Sequence, residues 1–136
     1  MTGPLLEARS ISVTFGSGAD AVRAVRDVSV EVHAGEAVGI VGESGSGKST
    51  LARVLAGLQP PDSGEVFFSG ESILTRGKTY RGDKRREVQM VFQDPYGSLN
   101  PRISGLSAVM EAVRVHNQGS SGDAENASLE LSLIHI

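Results

Sequence analysis

The spacing of hydrophobic positions changes along the chain, and each change marks an element. Ile11-Ser12-Val13-Thr14-Phe15 alternates with period two, which predicts a half-buried strand. Gly16-Ser17-Gly18-Ala19-Asp20 predicts a turn. Val28-Ser29-Val30-Glu31-Val32 alternates again, and Ala34-Gly35-Glu36 turns the chain. Ala37-Val38-Gly39-Ile40-Val41 is apolar on both parities, the pattern of a buried parallel strand. Leu51-Ala52-Arg53-Val54-Leu55-Ala56 predicts the first turns of a helix, with Gly57 as its C-terminal stop. Pro60-Pro61-Asp62-Ser63-Gly64 predicts a turn before the short strand Glu65-Val66-Phe67-Phe68, closed by Ser69-Gly70. Residues 71–87 are polar and basic, ending in Arg81-Gly82-Asp83-Lys84-Arg85-Arg86, and predict a solvated surface helix or loop. Val88-Gln89-Met90-Val91-Phe92 predicts a further strand. Ser104 to His116 predicts a helix, N-capped by Ser104 and carrying Leu106, Val109, Met110 and Val113 on its apolar side. Gln118 to Asn126 is loop-like, and no internal repeat is present. Two alternating strands ahead of a fully apolar one imply an α/β fold with a small antiparallel layer beside a parallel core.

Composition narrows the class. The 136 residues suffice for one domain or part of one, and 39% hydrophobic with 21% charged is ordinary for a globular core. Aromatics at 4% make that core aliphatic. A net charge of −3 argues against charge-driven nucleic-acid binding. With no cysteine, disulfides and thiolate metal sites are excluded. His33, His116 and His135 are scattered and predict ordinary surface positions. The start, Met1 to Glu7, has no basic region leading into an apolar stretch, so no secretory leader is predicted. No apolar run approaches the roughly 18 residues that span a bilayer. Work at a membrane would therefore depend on another subunit.

The chemistry lies in Gly42-Glu43-Ser44-Gly45-Ser46-Gly47-Lys48-Ser49, which fits the phosphate-loop pattern G-x-x-x-x-G-K-[ST]. It follows a predicted strand and opens a predicted helix, the context the motif requires. Glycines let the backbone turn successive N–H groups onto one phosphate. The helix start near Lys48 adds the positive end of its dipole. Lys48 supplies a mobile charge for β- and γ-phosphates. The Ser49 hydroxyl suits Mg2+, and the Thr50 N–H can reach an α-phosphate. Asp94 is not a strand-end acid for Mg2+, because Gln89 and Gln93 interrupt the apolar run before it.

Together, the glycine loop and Val91-Phe92-Gln93-Asp94-Pro95 resemble the ATP-binding subunit of an ABC transporter, over residues 5 to about 117. The resemblance implies a P-loop NTPase core of the ABC ATPase type with an N-terminal antiparallel β layer. It implies ATP with Mg2+ as ligands and ATP hydrolysis in the intact subunit. Phe15 then matches the aromatic on which adenine stacks, and Val22 a position against the base. Gln93 matches the Q-loop glutamine, which touches Mg2+ and couples the nucleotide site to the membrane subunit. The plainer alternatives are that Phe15 is a core residue ending a strand and Gln93 a surface amide; the Asp94-Pro95 that follows favours the Q-loop reading. The wider stretches Gly42 to Thr50 and Phe92 to Arg102 are similar to those of ATPases driving dipeptide and oligopeptide import. Nickel and glutathione importers share the pattern. Implied partners are multi-span permease subunits and a second ATP-binding subunit, with no nucleic acid. The implied place is peripheral, on the cytoplasmic face of the plasma (inner) membrane.

The resemblance is incomplete. The family's signature segment, its Walker B acid with the following glutamate, its D-loop and its switch histidine have no counterpart in these residues. The expected organisation is residues 5–117 as the N-terminal part of the nucleotide-binding domain. Residues 118–130 would be a loop opening the helical subdomain, and 131–136 a non-native tail. Leu131-Ser132-Leu133-Ile134-His135-Ile136 resembles a translated sequencing adapter. The chain alone is expected to bind nucleotide without family-like turnover. The alternative is a truncated, non-hydrolysing nucleotide-binding module. A small-molecule kinase with a phosphate loop explains neither the Phe15 strand pair nor Gln93-Asp94-Pro95. Val38, Ile40, Val91 and Phe92 are expected on uncovered apolar surface, and with it poor solubility.

Overall fold

Both alternating segments form strands, and both run further than their alternation marks. The computed structural model describes residues 3–75, 87–94, 100 and 102–116. The chain divides into two units, Met1–Met90 and Val91–Ile136.

The first unit holds β1 (Leu6–Phe15), β2 (Val22–Val32), α1 (Lys48–Leu55), β3 (Ser63–Phe68) and β4 (Glu71–Thr75). The strands form one antiparallel sheet in the order β2-β1-β3-β4. β4 corrects the expectation of a surface helix or loop from residue 71. Ser69 and Gly70 both take positive φ, 51° and 81°. That is the handedness of a tight two-residue hairpin, and it returns the chain along β3 with Phe68 opposite Glu71. Leu74 then enters the core. The basic run Arg81 to Arg86 lies outside the described residues, as do Gln118 to Asn126 and 131–136.

β1 and β2 are joined by reciprocal bulges. Ala8 pairs with Val30 and Ile11 with Val28, so Arg9 and Ser10 together oppose Ser29. Val13 pairs with Val25, so Arg26 and Asp27 together oppose Ser12. Each bulge holds one residue at positive φ, Ser10 at 50° and Asp27 at 47°. Each displaced N–H is taken by the opposing serine: Ser10 donates to Ser29 Oγ at 2.9 Å, and Asp27 to Ser12 Oγ at 3.0 Å. The predicted turn at Pro60 to Gly64 locks onto the same region. Asp62 donates its N–H to the Ser12 carbonyl at 2.9 Å and accepts from the Thr14 N–H at 2.6 Å.

One face of the sheet is the core: Ala8, Ile11, Val13, Val25, Val66 and Leu74, closed by Leu51 and Val54 of α1. Leu51 and Val54 are three apart and share one side of the helix. Gly57 ends α1 as expected. Leu58 donates to the Arg53 carbonyl at 2.8 Å and Gly57 to the Val54 carbonyl at 2.9 Å, the paired bonds of a Schellman cap. On the opposite sheet face, the Arg9 guanidinium lies 4.5 Å from the Phe67 ring centre. The same guanidinium donates to both Glu7 carboxylate oxygens, at 2.5 and 2.9 Å.

Two predicted strands are corrected. Ala37 to Val41 and Val88 to Phe92 carry no strand pairing. A parallel strand draws its hydrogen bonds from neighbours distant in sequence. Among the described residues every pairing is antiparallel and belongs to β1–β4. Val38, Ile40, Val41, Val91 and Phe92 are exposed, as the expectation of uncovered apolar surface requires.

In the second unit the predicted helix is present as α2 (Gly105–His116). Ser104 caps it, its Oγ accepting the Ser107 N–H at 3.1 Å. Asn100 shapes the approach, accepting the Arg102 N–H on its side chain at 3.0 Å and the Ile103 N–H on its carbonyl at 3.2 Å. Among the described residues no helix is long and apolar enough to cross a membrane.

Candidate functional site

The glycine loop runs directly into α1, and Gly47 makes the junction. It holds the N-cap position at φ 90°, and no side chain caps the helix. The Leu51 N–H donates to the Gly47 carbonyl at 2.9 Å, the bond that opens the helix. The leading N–H groups of α1 are therefore available to an anion, together with the positive end of the helix dipole. Gly47 is also fixed from outside the loop. A Cβ there would lie 2.0 Å from the Ala24 carbonyl oxygen of β2. The antiparallel layer thus presses against the loop at a point where only glycine fits.

Lys48 folds back over the loop it follows. Its ammonium donates to the Gly42 carbonyl at 2.8 Å, the Glu43 carbonyl at 2.5 Å and Ser46 Oγ at 3.2 Å. The Glu43 carbonyl also accepts the Ser46 N–H at 3.2 Å, which closes the loop on itself. These bonds hold the ammonium at the centre of the loop, where a bound phosphate would exchange neutral carbonyl acceptors for anionic oxygens.

A cavity of about 490 Å³ opens between this loop and β2. Gly42, Gly45, Ser46, Gly47 and Lys48 line it from the loop, Ile40 and Val41 from the run before it, and Arg23 to Arg26 with Val28 from β2. The other expected site residues are not part of its lining. Glu43 and Ser44 form the exposed outer part of the loop, and Ser49 and Thr50 sit in the first turn of α1. Phe15 and Val22 are direct cross-strand partners at the open end of β1 and β2. Phe15 is 46% exposed and Val22 63%, so their surface is available to a planar ring. That exposure removes the reading of Phe15 as core. Gln93 belongs to the second unit, where it is exposed on a bend.

Alternation places residues three apart on opposite faces of a strand, and nothing in the pattern reveals the bulges of β2. Among the described residues no cluster of three acidic, histidine or cysteine side chains could hold a metal. In the first unit the donor at hand for a hard cation is the Ser49 hydroxyl, which suits Mg2+ held partly by phosphate oxygens.

Known proteins resemble this chain over most of its length. Oligopeptide transport ATP-binding protein OppF of Bacillus subtilis is 40% identical over 117 residues, covering 85% of this chain and 38% of that protein. Glutathione import ATP-binding protein GsiA of Salmonella typhi is 39% identical over 128 residues, covering 89% of this chain and 20% of that protein. The chain thus spans well under half the length of these relatives. Among solved structures, the ATP-binding cassette MJ0796, in a dimeric post-hydrolysis state with ADP and Pi, superposes with a TM-score of 0.71. It is 26% identical, over 92% of this chain and 54% of that one. A family model described as ABC transporter matches residues 25–135, beginning within β2 and running through the loop, α1 and α2. The chain belongs to the ABC transporter family.

Proposed function

We propose that this chain is the nucleotide-binding part of an ATP-driven importer of peptides or similar small solutes. One observation carries the reading: an uncapped helix N-terminus, a lysine held at the loop's centre and an open cavity occur together at one place. The loop N–H groups and Lys48 would bind the β- and γ-phosphates, with Thr50 N–H at the α-phosphate. The Phe15–Val22 pair would receive the adenine. Ser49 and Gln93 would hold Mg2+, which when bound neutralises phosphate charge. The chain's own part is to bind and orient the polyphosphate, the positioning on which phosphoryl transfer chiefly depends.

Hydrolysis, a second ATP-binding subunit, permease subunits and a place at the cytoplasmic membrane face belong to the same proposal. They are supported by family membership and by the dimeric state named for the MJ0796 cassette. The named relatives transport oligopeptides in one case and glutathione in another, so the solute class stands at peptide-like molecules. Calorimetric titration of the chain with ATP and Mg2+ tests the reading. Lys48→Ala should weaken ATP binding by about tenfold or more, the loss of one charge-assisted phosphate contact. Equal ATP affinity in the two proteins would overturn it.

A further inference from the structure

The antiparallel layer meets the phosphate loop at Gly47, and the residue that meets it is an extra one. Val13 pairs with Val25 and Thr14 with Arg23, so Ala24 is an added residue of β2 with no position of its own opposite it on β1. The strand is anchored beside it, because Val13 and Val25 are buried in the core with Leu51 and Val54 of α1. The Ala24 carbonyl lies directly against Gly47: a Cβ there would overlap the oxygen and stand 3.1 Å from the carbonyl carbon. A Val25 methyl stands 3.6 Å from the same point. The bulge thus brings backbone of the sheet onto backbone of the loop.

The same insertion resets the alternation of β2. Phe15 is two residues from Val13 and shares its face, and Val22 pairs with Phe15. Val22 and Val25 therefore lie on one face although they are three apart, which a regular strand does not allow. That face is the one on which α1 packs. Gly47 is the junction between loop and helix, at φ 90° and without a side-chain cap. Whatever fixes Gly47 fixes the direction in which the first N–H groups of α1 and the Lys48 side chain leave the loop. The bonds from Lys48 to the Gly42 and Glu43 carbonyls close the loop internally, but they do not tie it to the sheet.

Building on nucleotide binding at the loop, we propose that Ala24 is a positioning residue for the polyphosphate. Its carbonyl seats Gly47 and so holds the anion-binding N–H groups in place before a phosphate arrives. Donors fixed in advance bind an anion without the entropy cost of being ordered by it. The action is on the phosphate end of the nucleotide. The Phe15–Val22 pair is set by β1 and keeps its register whether or not Ala24 is present. The seat is backbone, so shortening the side chain at this position leaves it intact.

The test is calorimetric titration of the 136-residue chain with inorganic tripolyphosphate and with ATP, both with Mg2+. It compares the unaltered protein with a deletion of Ala24, with Ala24→Gly and with Lys48→Ala. The deletion joins Arg23 to Val25 and leaves each opposite its present partner, so the sheet keeps its register. It should bind tripolyphosphate and ATP about tenfold more weakly, by the same factor for each, with a melting temperature close to the unaltered one. Ala24→Gly keeps the carbonyl and should stay within about threefold on both ligands. Replacing Ala24 by three glycines loosens the seat while keeping both flanking pairs. It should show the same loss, and it carries the test if the deletion does not fold. Tripolyphosphate affinity within about twofold of the unaltered chain in either folded variant overturns the seat. A loss for ATP alone also overturns it, because the effect then lies at the base. So does an equal loss in Ala24→Gly, which would assign the effect to the methyl group. If Lys48→Ala still weakens binding in those cases, the loop reading stands. An unaltered chain that binds neither ligand overturns both proposals.

Discussion

β1 and the run from Ala37 to Val41 are both rich in β-branched residues, yet they end in opposite environments. Ile11 is fully buried, whereas Val41 is 93% exposed. The difference lies in where each finds its hydrogen-bonding partner. β1 pairs on one side with β2, reached through a short turn, and on the other with β3. The β2 partner, close in sequence, costs little chain entropy to bring alongside, and the pair then offers β3 a formed edge. The apolar run has no such neighbour, and its pattern of full burial describes a parallel environment that the described residues do not supply. The lesson is that hydropathy states what a strand needs, while topology decides whether it receives it. The phosphate loop sits at the boundary between the two regions. It leaves the unpaired run, yet Gly47 is fixed against Ala24 of the paired layer.

The largest expected effect breaks the paired side of this comparison at Gly64. Its φ is 93°, and a Cβ there would lie 2.4 Å from the Arg9 carbonyl oxygen and 2.5 Å from that of Ser10. It faces the bulge of β1 at close range. Gly64→Ala should cost about 3 kcal/mol or more, combining positive φ with a backbone overlap that no rotamer relieves. Against a typical stability of about 5–15 kcal/mol, urea denaturation would show a plainly lowered midpoint. A loss under about 1 kcal/mol would mean that the sheet is not held at this crossing.

Much of this architecture was legible, and the illegible part has a common cause. Strands β1 and β2, helices α1 and α2, the Ser104 cap and the Gly57 stop follow from local patterns, since their bonds close within a few residues or across one turn. The phosphate loop was legible for the same reason. β3 was legible from its apolar run and bounding turns, although its partner β1 is distant in sequence. β4 was missed because polar neighbours hide Leu74, and its strand character comes from the Ser69-Gly70 turn rather than from its own alternation. The strand expectations at 37–41 and 88–92 failed because the described residues supply no partner for either. The bulges of β1 and β2 were invisible because they reset strand parity without any mark in hydropathy.

A smaller effect sharpens the account of those bulges. Ser12 Oγ accepts the Asp27 N–H, and Ser29 Oγ accepts the Ser10 N–H. Ser12→Ala and Ser29→Ala should each cost about 1 kcal/mol, the usual net worth of such a bond. The two bonds involve separate partners, so the double variant should lose close to the sum. Chemical denaturation checks this. Neutral single variants would mean that the bulges are held by strand pairing alone.

The smallest effect tests the unpaired side. Val41 is exposed and carries no strand pairing. Val41→Thr keeps the β-branched shape and adds a hydroxyl. In a buried parallel strand that hydroxyl would lose water without a partner and cost about 1–3 kcal/mol. On an exposed segment it remains hydrated, and the change should stay within about 0.5 kcal/mol. The measured denaturation midpoint therefore reports directly on the environment of the run. A near-zero shift supports the contrast with β1, in which the same residue type is stabilised only where the chain supplies a partner. A loss above about 1 kcal/mol would place Val41 inside a sheet, and the contrast between the two regions would collapse.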